Sequence, residues 1–192
     1  MKKILIINGH PNKESFNAAL AAAYKAGALA AGAELQEIAV GELPFELSLR
    51  FGYQKKLELE PCLIDAQEKI KWADHIVWVF PVWWGGMPAI LKGFIDRIFL
   101  SGFAYKYEEG SKMPKKLLTG RSARVIMTMG ATVWHYRFAY RQPATNEIKR
   151  VVLDFCGIKP VGITYFGSVD SSTPEKRAIW LKEVERLGTR ME

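Results

Sequence analysis

Residues 75–88 read HIVWVFPVWWGGMP, and the change of pattern inside this stretch decides the fold. Residues 75–80 are rich in β-branched and aromatic side chains with no polar alternation, the mark of a strand covered on both faces and therefore central in its sheet. Pro81 ends the strand. Residues 82–87 make a loop of tryptophan and glycine, and Pro88 has the fixed φ and missing N–H that suit the first turn of a helix. Ala89, Ile90, Gly93, Phe94, Arg97 and Ile98 then recur at helical spacing to about Phe99. A buried strand feeding a helix through a short loop is the repeating unit of a parallel sheet.

The same unit recurs on both sides. Residues 3–8 form a short apolar run stopped by Gly9-His10-Pro11, again a doubly covered strand. Ser15 suits a helix cap, and Phe16, Ala19, Leu20, Ala23 and Tyr24 follow at helical period until the glycines of 27–32. A second strand is expected over 34–40, a helix over 57–72, a fourth strand over 123–129, a helix over 143–155, a fifth strand over 161–166 and a closing helix over 174–187. Residues 101–120 read as a long loop rich in Gly, Lys and Tyr, a length that points to function or an interface. Five strands alternating with helices predict an α/β fold with a five-stranded parallel sheet covered on both faces. Its site lies beyond the carboxyl ends of the strands, where strand order reverses.

Composition bounds the function. The chain has 192 residues, 49% hydrophobic and 24% charged, enough for one globular domain over 1–192 with a sizeable core and too apolar for disorder. Cys62 and Cys156 stand far apart with no CxxC pair, so neither a disulfide framework nor a Cys-ligated metal site is expected. The apolar run after Met1-Lys2-Lys3 ends at Asn8, and no run reaches 18 apolar residues, so a cytoplasmic protein without a membrane span is the expectation. The net charge is +7, unevenly spread: residues 1–110 hold 12 basic and 13 acidic side chains, residues 111–192 hold 15 and 7. Lys112, Lys115, Lys116, Arg121, Arg124, Arg137 and Arg141 are expected to flank the mouth of the site and to draw an anionic ligand.

Three loops fall at strand ends. Loop 9–17, GHPNKESFN, runs into a helix N-terminus, where unpaired backbone N–H groups favour a phosphate, with Ser15 and Asn17 as further donors and His10 or Lys13 as positive groups. The competing reading has Ser15 only capping the helix and Phe16 filling core. Neither GxGxxG nor GxxxxGK[ST] is present, which leaves out the dinucleotide fingerprint and the triphosphate loop. Loop 81–87, PVWWGGM, sets Trp83 and Trp84 beside glycines that admit a planar heterocycle, although tryptophans in a core or dimer contact would read the same. Loop 129–141 carries Gly130, Thr132, His135, Tyr136 and Tyr140; His135 suits proton delivery and Tyr136 suits hydrogen bonding to an oxygen where charge develops. Trp72, Trp78, Trp180 and His75 read as packing residues.

Taken together, GHPNKESFN, FPVWWGGMPAILKGFIDRIFLSGFAY and TMGAT resemble the flavodoxin-like NAD(P)H:quinone oxidoreductase family, which includes ancillary subunits of potassium efflux systems. The resemblance spans nearly the whole chain, and its middle segment is the specific part. It implies a flavodoxin-like three-layer sandwich and a flavin-bound homodimer. In that family NADH or NADPH gives hydride to the flavin and leaves, after which a quinone or similar electrophile takes two electrons in the same pocket. Carried over by residue, the phosphate loop corresponds to His10, Ser15, Phe16 and Asn17. The flavin ring corresponds to Pro81, Val82, Trp83, Trp84 and Gly85 on one side and Thr128, Met129, Gly130 and Ala131 on the other. The FAY segment makes Tyr105, with Tyr107 beside it, a lining residue of the partner's pocket.

The chain departs from the mammalian-type pattern at Trp83, where Gln is common, at TMGAT in place of TTGG, and in the adjacency of His135 and Tyr136. The catalytic candidates are His135, Tyr136 and Tyr105. The shorter chain favours FMN over FAD. A regulatory flavoprotein attached to a membrane transporter, a one-electron carrier and a nucleic-acid module are the rivals; the last rests on charge alone, with no recognised motif.

Overall fold

The computed structural model describes every residue except Lys56 and Lys112. Five strands, β1 (Lys3–Asn8), β2 (Glu34–Ala39), β3 (His75–Pro81), β4 (Ser122–Thr128) and β5 (Val161–Phe166), form one all-parallel sheet in the order β2-β1-β3-β4-β5. Every residue of β3 is buried, as a strand of unbroken apolar character at the middle of a covered sheet must be. The chain steps outward from β1 to β2 and then crosses back to β3, so the order reverses between β1 and β3.

The pleat divides the core in two. Ile4 and Ile6 of β1, Val77 and Val79 of β3 and Ile126 of β4 pack with Leu20, Tyr24 and Ala28 of α1 (Phe16–Ala30) and Val184 of α6 (Pro174–Arg190). Leu5, Ile7, Trp78, Phe80, Val125 and Met127 face the other layer, built by α2 (Pro61–Trp72), α3 (Ala89–Ile98) and a helical segment that starts at Pro143. The result is a three-layer α/β sandwich. Alternate residues of one strand serve opposite layers because side chains leave a strand with period two.

Several elements differ in detail from their sequence-based limits. Helix α2 starts at Pro61 instead of 57, because Pro61 takes the first helical position and Glu60 before it is extended. The Glu60 carboxylate is bound to the buried Arg97 at 2.7 Å, and the Arg97 guanidinium also donates to the carbonyls of Glu46 and Glu58. This buried cation therefore gathers the otherwise unpatterned stretch before α2. The long 101–120 loop contains a small antiparallel ladder, Tyr105–Lys106 with Lys115–Lys116. The loop after β4 contains a one-and-a-half-turn helix, α4 (Val133–Phe138), capped by the Thr132 side chain on the His135 N–H. The next helix begins as α5 (Pro143–Asn146), continues as wider π-helical turns through Glu147–Asp154 and returns to α geometry at 155–156.

Candidate functional site

The carboxyl ends of β1, β3 and β4 open into two adjoining hollows that share Val82, Met129 and Gly130. The smaller, about 220 Å³, is lined by His10, Ser15, Phe16, Asn17, Pro81, Trp83, Thr128, Val169 and Asp170 besides those three. Ser15 caps α1, its Oγ accepting the Ala18 N–H at 3.2 Å, at the helix end where N–H groups lack internal partners. Asn17 is 3% exposed, and its amide is half used. Its Oδ1 accepts the Thr128 hydroxyl at 3.0 Å, while its Nδ2 has no hydrogen-bond partner among the described residues. A buried donor without an acceptor costs free energy unless a ligand or water supplies one. Donor and helix terminus together favour an anion.

His10 stands at the edge of this hollow. The Asn12 N–H donates to its Nδ1 at 2.9 Å, which leaves the proton on Nε2, and burial lowers its pKa below the usual value. It is thus a neutral donor, held edge-on to Trp83 with ring centroids 5.5 Å apart.

The larger hollow, about 590 Å³, is lined by Val82, Trp84, Gly85, Met129, Gly130, Ala131, Tyr136, Tyr140 and Pro143. One wall is a tight turn: Trp83 and Gly86 exchange both backbone hydrogen bonds at 2.9 Å, and Trp84 and Gly85 between them have φ of 51° and 79°. Two positive φ values in a two-residue loop are the geometry of a type I′ turn, costly for a bulky residue. Trp84 is also fully exposed, at 106% of its reference area. The turn is fastened to the sheet by Val82 N–H to Thr128 O at 2.7 Å and to α5 by Ala144 N–H to Gly85 O at 3.0 Å. A slot of this size with aromatic and backbone walls takes a planar ring system, and backbone N–H groups at its edge can meet ring nitrogens or carbonyls.

Behind the opposite wall lies a polar chain. The Tyr136 hydroxyl accepts the Thr145 N–H at 3.0 Å and lies 3.2 Å from Thr145 Oγ1, which is 2.9 Å from the Tyr165 hydroxyl. Burial raises the Tyr136 pKa, so the phenol keeps its proton at neutral pH.

The structure thus brings His10, Ser15, Phe16, Asn17, Pro81, Val82, Trp83, Trp84, Gly85, Thr128, Met129, Gly130, Ala131 and Tyr136 to the walls of the paired hollows. His135 does not line either; it is exposed on α4 and meets the ring of Tyr140 edge-on at 4.6 Å. Tyr105 lies apart from the cleft in its own chain, packed edge-on against Phe155 and Tyr107 beside a separate hollow of about 260 Å³. Tyr140, named within loop 129–141, also lines the larger hollow, whereas Pro143, Val169 and Asp170 are wall residues that the three-loop reading leaves out. The signal for the last two was the loop after β5, which also leaves a carboxyl strand end.

The expected basic mouth needs correction. Arg121 and Arg124 sit at the opposite end of β4, where Arg121 donates to the carbonyls of Ile70 and Lys71 at the close of α2 and Arg124 faces Thr164 and Glu192. Lys115 pairs with Glu108 and Lys116 donates to the Asp154 carbonyl. Lys112 lies outside the described residues. Of the group, Arg137 on α4 and Arg141 after it are the two on the segment that forms the cleft wall.

The sequence profile for the flavodoxin-like fold matches residues 2–189. The chain belongs to the flavodoxin-like fold family. Within it, the chain is related to the NAD(P)H:quinone oxidoreductases. The crystal structure of Smu.1420 from Streptococcus mutans UA159 superposes with a TM-score of 0.86 at 31% identity, covering 98% of this chain and 99% of that one. NAD(P)H dehydrogenase [quinone] 1 of Cavia porcellus is 27% identical over 97% of this chain and 78% of its own. A ribosyldihydronicotinamide dehydrogenase-like protein of Penicillium crustosum is 40% identical over 38% of this chain, a match that spans 30% of the fungal protein's length. Among the described residues no group of three His, Cys, Asp or Glu side chains can hold a metal, and no helix is long and apolar enough to cross a membrane.

Proposed function

We propose that the chain is a flavin-dependent NAD(P)H:quinone oxidoreductase, reducing quinones or related electrophiles by two electrons, with donor and acceptor using one cleft in turn. The observation that carries this reading is the pairing of an aromatic slot with an adjoining anion pocket whose buried Asn17 Nδ2 lacks a partner. A flavin mononucleotide has that shape: a flat heterocycle joined through a polyol to a phosphate. When bound, the flavin supplies the acceptance and return of hydride.

The chain's own residues do the rest. Asn17, the start of α1 and the Nε2–H of His10 bind the phosphate. Val82, Trp84, Gly85, Met129, Gly130 and Ala131 hold the ring and keep water from it. Asp170, which lines the smaller hollow beside Gly130, accepts polyol hydroxyls of the proposed FMN. Tyr136 and Tyr140 border the space left for the acceptor. His135 at the rim is the proposed source of the proton that accompanies the second reduction, relayed through water. Tyr105 belongs to the reaction only through a second copy of the chain, so a homodimer is part of the proposal.

The absorption spectrum of the purified protein, with the released cofactor identified by mass, tests the reading. A yellow protein that releases FMN, is bleached by NADH or NADPH and is reoxidised by a quinone supports it. A colourless protein that takes up neither FMN nor FAD overturns it.

A further inference from the structure

Between α4 and α5, Arg141 and Gln142 have φ of 58° and 56° in succession. Neither residue is of a type at ease in the left-handed region, and such strain persists where the surroundings over-determine it, commonly beside functional sites. Here the surroundings do so on four sides. The Gln142 N–H donates to Tyr136 O at 3.1 Å, and the Asn146 N–H donates to Gln142 O at 2.9 Å. Asn146 Nδ2 donates to Arg141 O at 2.8 Å. The fourth hold comes from the edge strand: the Tyr165 hydroxyl of β5 donates to Gln142 Oε1 at 3.0 Å. Because that hydroxyl spends its proton on Gln142, the Thr145 hydroxyl donates to it, and the Tyr136 hydroxyl donates to Thr145 in turn.

The strained pair separates Tyr140 from Pro143, and both line the larger hollow. Pro143 also begins the segment whose Ala144 N–H holds the Gly85 carbonyl of the facing turn. The two walls are thus linked through this corner. We propose that Tyr165 and Gln142 form a positioning clamp that sets the width of the cleft at Tyr140 and Pro143 and so governs the fit of the electron acceptor. Tyr165 lines neither hollow; it acts through Gln142. The inference rests on the oxidoreductase reading for its kinetic consequence and on the hydrogen bonds alone for the clamp.

The test compares Tyr165→Phe, Gln142→Gly and the double variant in the flavin-loaded protein and by amide hydrogen exchange without flavin. Tyr165→Phe keeps the ring and deletes the donor, and Gln142→Gly deletes the acceptor while admitting the left-handed backbone freely. In Tyr165→Phe, exchange at the Gln142 and Asn146 amides rises about tenfold while the amides of β3 and β4 are unchanged. The quinone KM rises about fivefold in each single variant, the worth of one neutral hydrogen bond, with kcat within about twofold. The double variant is no worse than either single one, since both remove the same bond. Unchanged exchange, an unchanged KM, a fall in kcat at constant KM, or effects that multiply in the double variant each overturn the clamp. If the chain takes up no flavin, the functional reading fails and exchange alone decides the clamp, faster exchange supporting it and unchanged exchange overturning it.

Discussion

Asn17 shows how much one side chain can carry. Its oxygen is committed to Thr128 and its nitrogen to nothing among the described residues, so the fold holds a donor in place for a ligand. Asn17→Asp keeps the shape and the acceptor but puts a carboxylate where the donor was. FMN affinity, followed by quenching of flavin fluorescence, is expected to fall about 100-fold through like-charge repulsion; an Asp variant that binds as tightly would remove Asn17 from the phosphate site. Trp84 makes the complementary case, because its left-handed backbone and complete exposure give the fold nothing. Trp84→Gly should leave stability unchanged or raise it by about 1 kcal/mol, yet lower flavin retention more than His135→Gln does. Thermal unfolding and bound-flavin content, measured together, check the opposite signs. His75 carries no site chemistry. It is stacked on Tyr24, bonded through Nδ1 to Ser122 at 2.7 Å, and held to a pKa of about 4 by burial, with the Lys2 and Arg124 charges adding to the effect. Its unfolded value is higher, so the unfolded chain binds the proton more readily between the two. Stability is full above pH about 6.5 and falls by up to about 3 kcal/mol as pH drops toward 4. His75→Asn should flatten that slope in urea titrations at several pH values. Most wall residues were legible in the sequence because loops at strand ends announce themselves by Gly, Pro and aromatic punctuation. The direction of His135 was not, since only the unforeseen α4 turns it outward against Tyr140.

Among the elements, α1 and α6 make the closest approach, and glycine permits it. A Cβ on Gly27 would stand 1.9 Å from the Glu185 carbonyl oxygen, and one on Gly188 would stand 2.1 Å from that of Tyr24. Both obstacles are helix backbone, which cannot swing aside as a side chain can. Gly27→Ala is expected to lose about 3 kcal/mol despite alanine's better helix propensity, visible as a lower urea midpoint. A stability equal to or above that of the parent would mean the helices do not pack so closely. In the sequence Gly27 opens the glycine-containing stretch 27–32 that reads as a loosening of the helical pattern, and α1 nevertheless runs on to Ala30. Propensity weighs single residues, whereas the helix is held by what the glycine lets it touch. Strands β1 and β3 were legible for the opposite reason: each is built on a contiguous apolar run, buried on both faces, whose identity needs no partner to be recognised. The short ladder at Tyr105–Lys106 and the break of the 143–155 helix into α and π turns had no such local signature. Pairing across about ten residues and contact with the sheet determine them.

For the whole molecule, a net charge of +7 concentrated after residue 110 invites the idea of a basic funnel, and the architecture dismantles it. Arg121 and Arg124 lie before and early in β4, and the cleft lies beyond its last residue. At about 3.3 Å per residue, about 23 Å of strand separates Arg121 from Thr128 and about 13 Å separates Arg124 from it, roughly three and one and a half Debye lengths at physiological ionic strength. Arg121 is occupied in any case with the carbonyls that end α2, where a cation complements the helix dipole. Arg137 and Arg141 are on the cleft's own segment and exposed. Among the described members of the basic group expected at the mouth, these two are the ones placed to attract a dinucleotide phosphate. Measured as kcat/KM for NADPH against ionic strength, the slope should be shallow, a change of less than about threefold between low salt and 0.5 M. Arg121→Gln with Arg124→Gln should leave that slope where it was while costing about 1 kcal/mol of stability from the lost contacts at the end of α2. Arg137→Gln with Arg141→Gln should flatten it. If the first pair moves the slope more than the second, the charged end of the sheet reaches the cleft after all, and the placement of the field argued from the strand length is wrong.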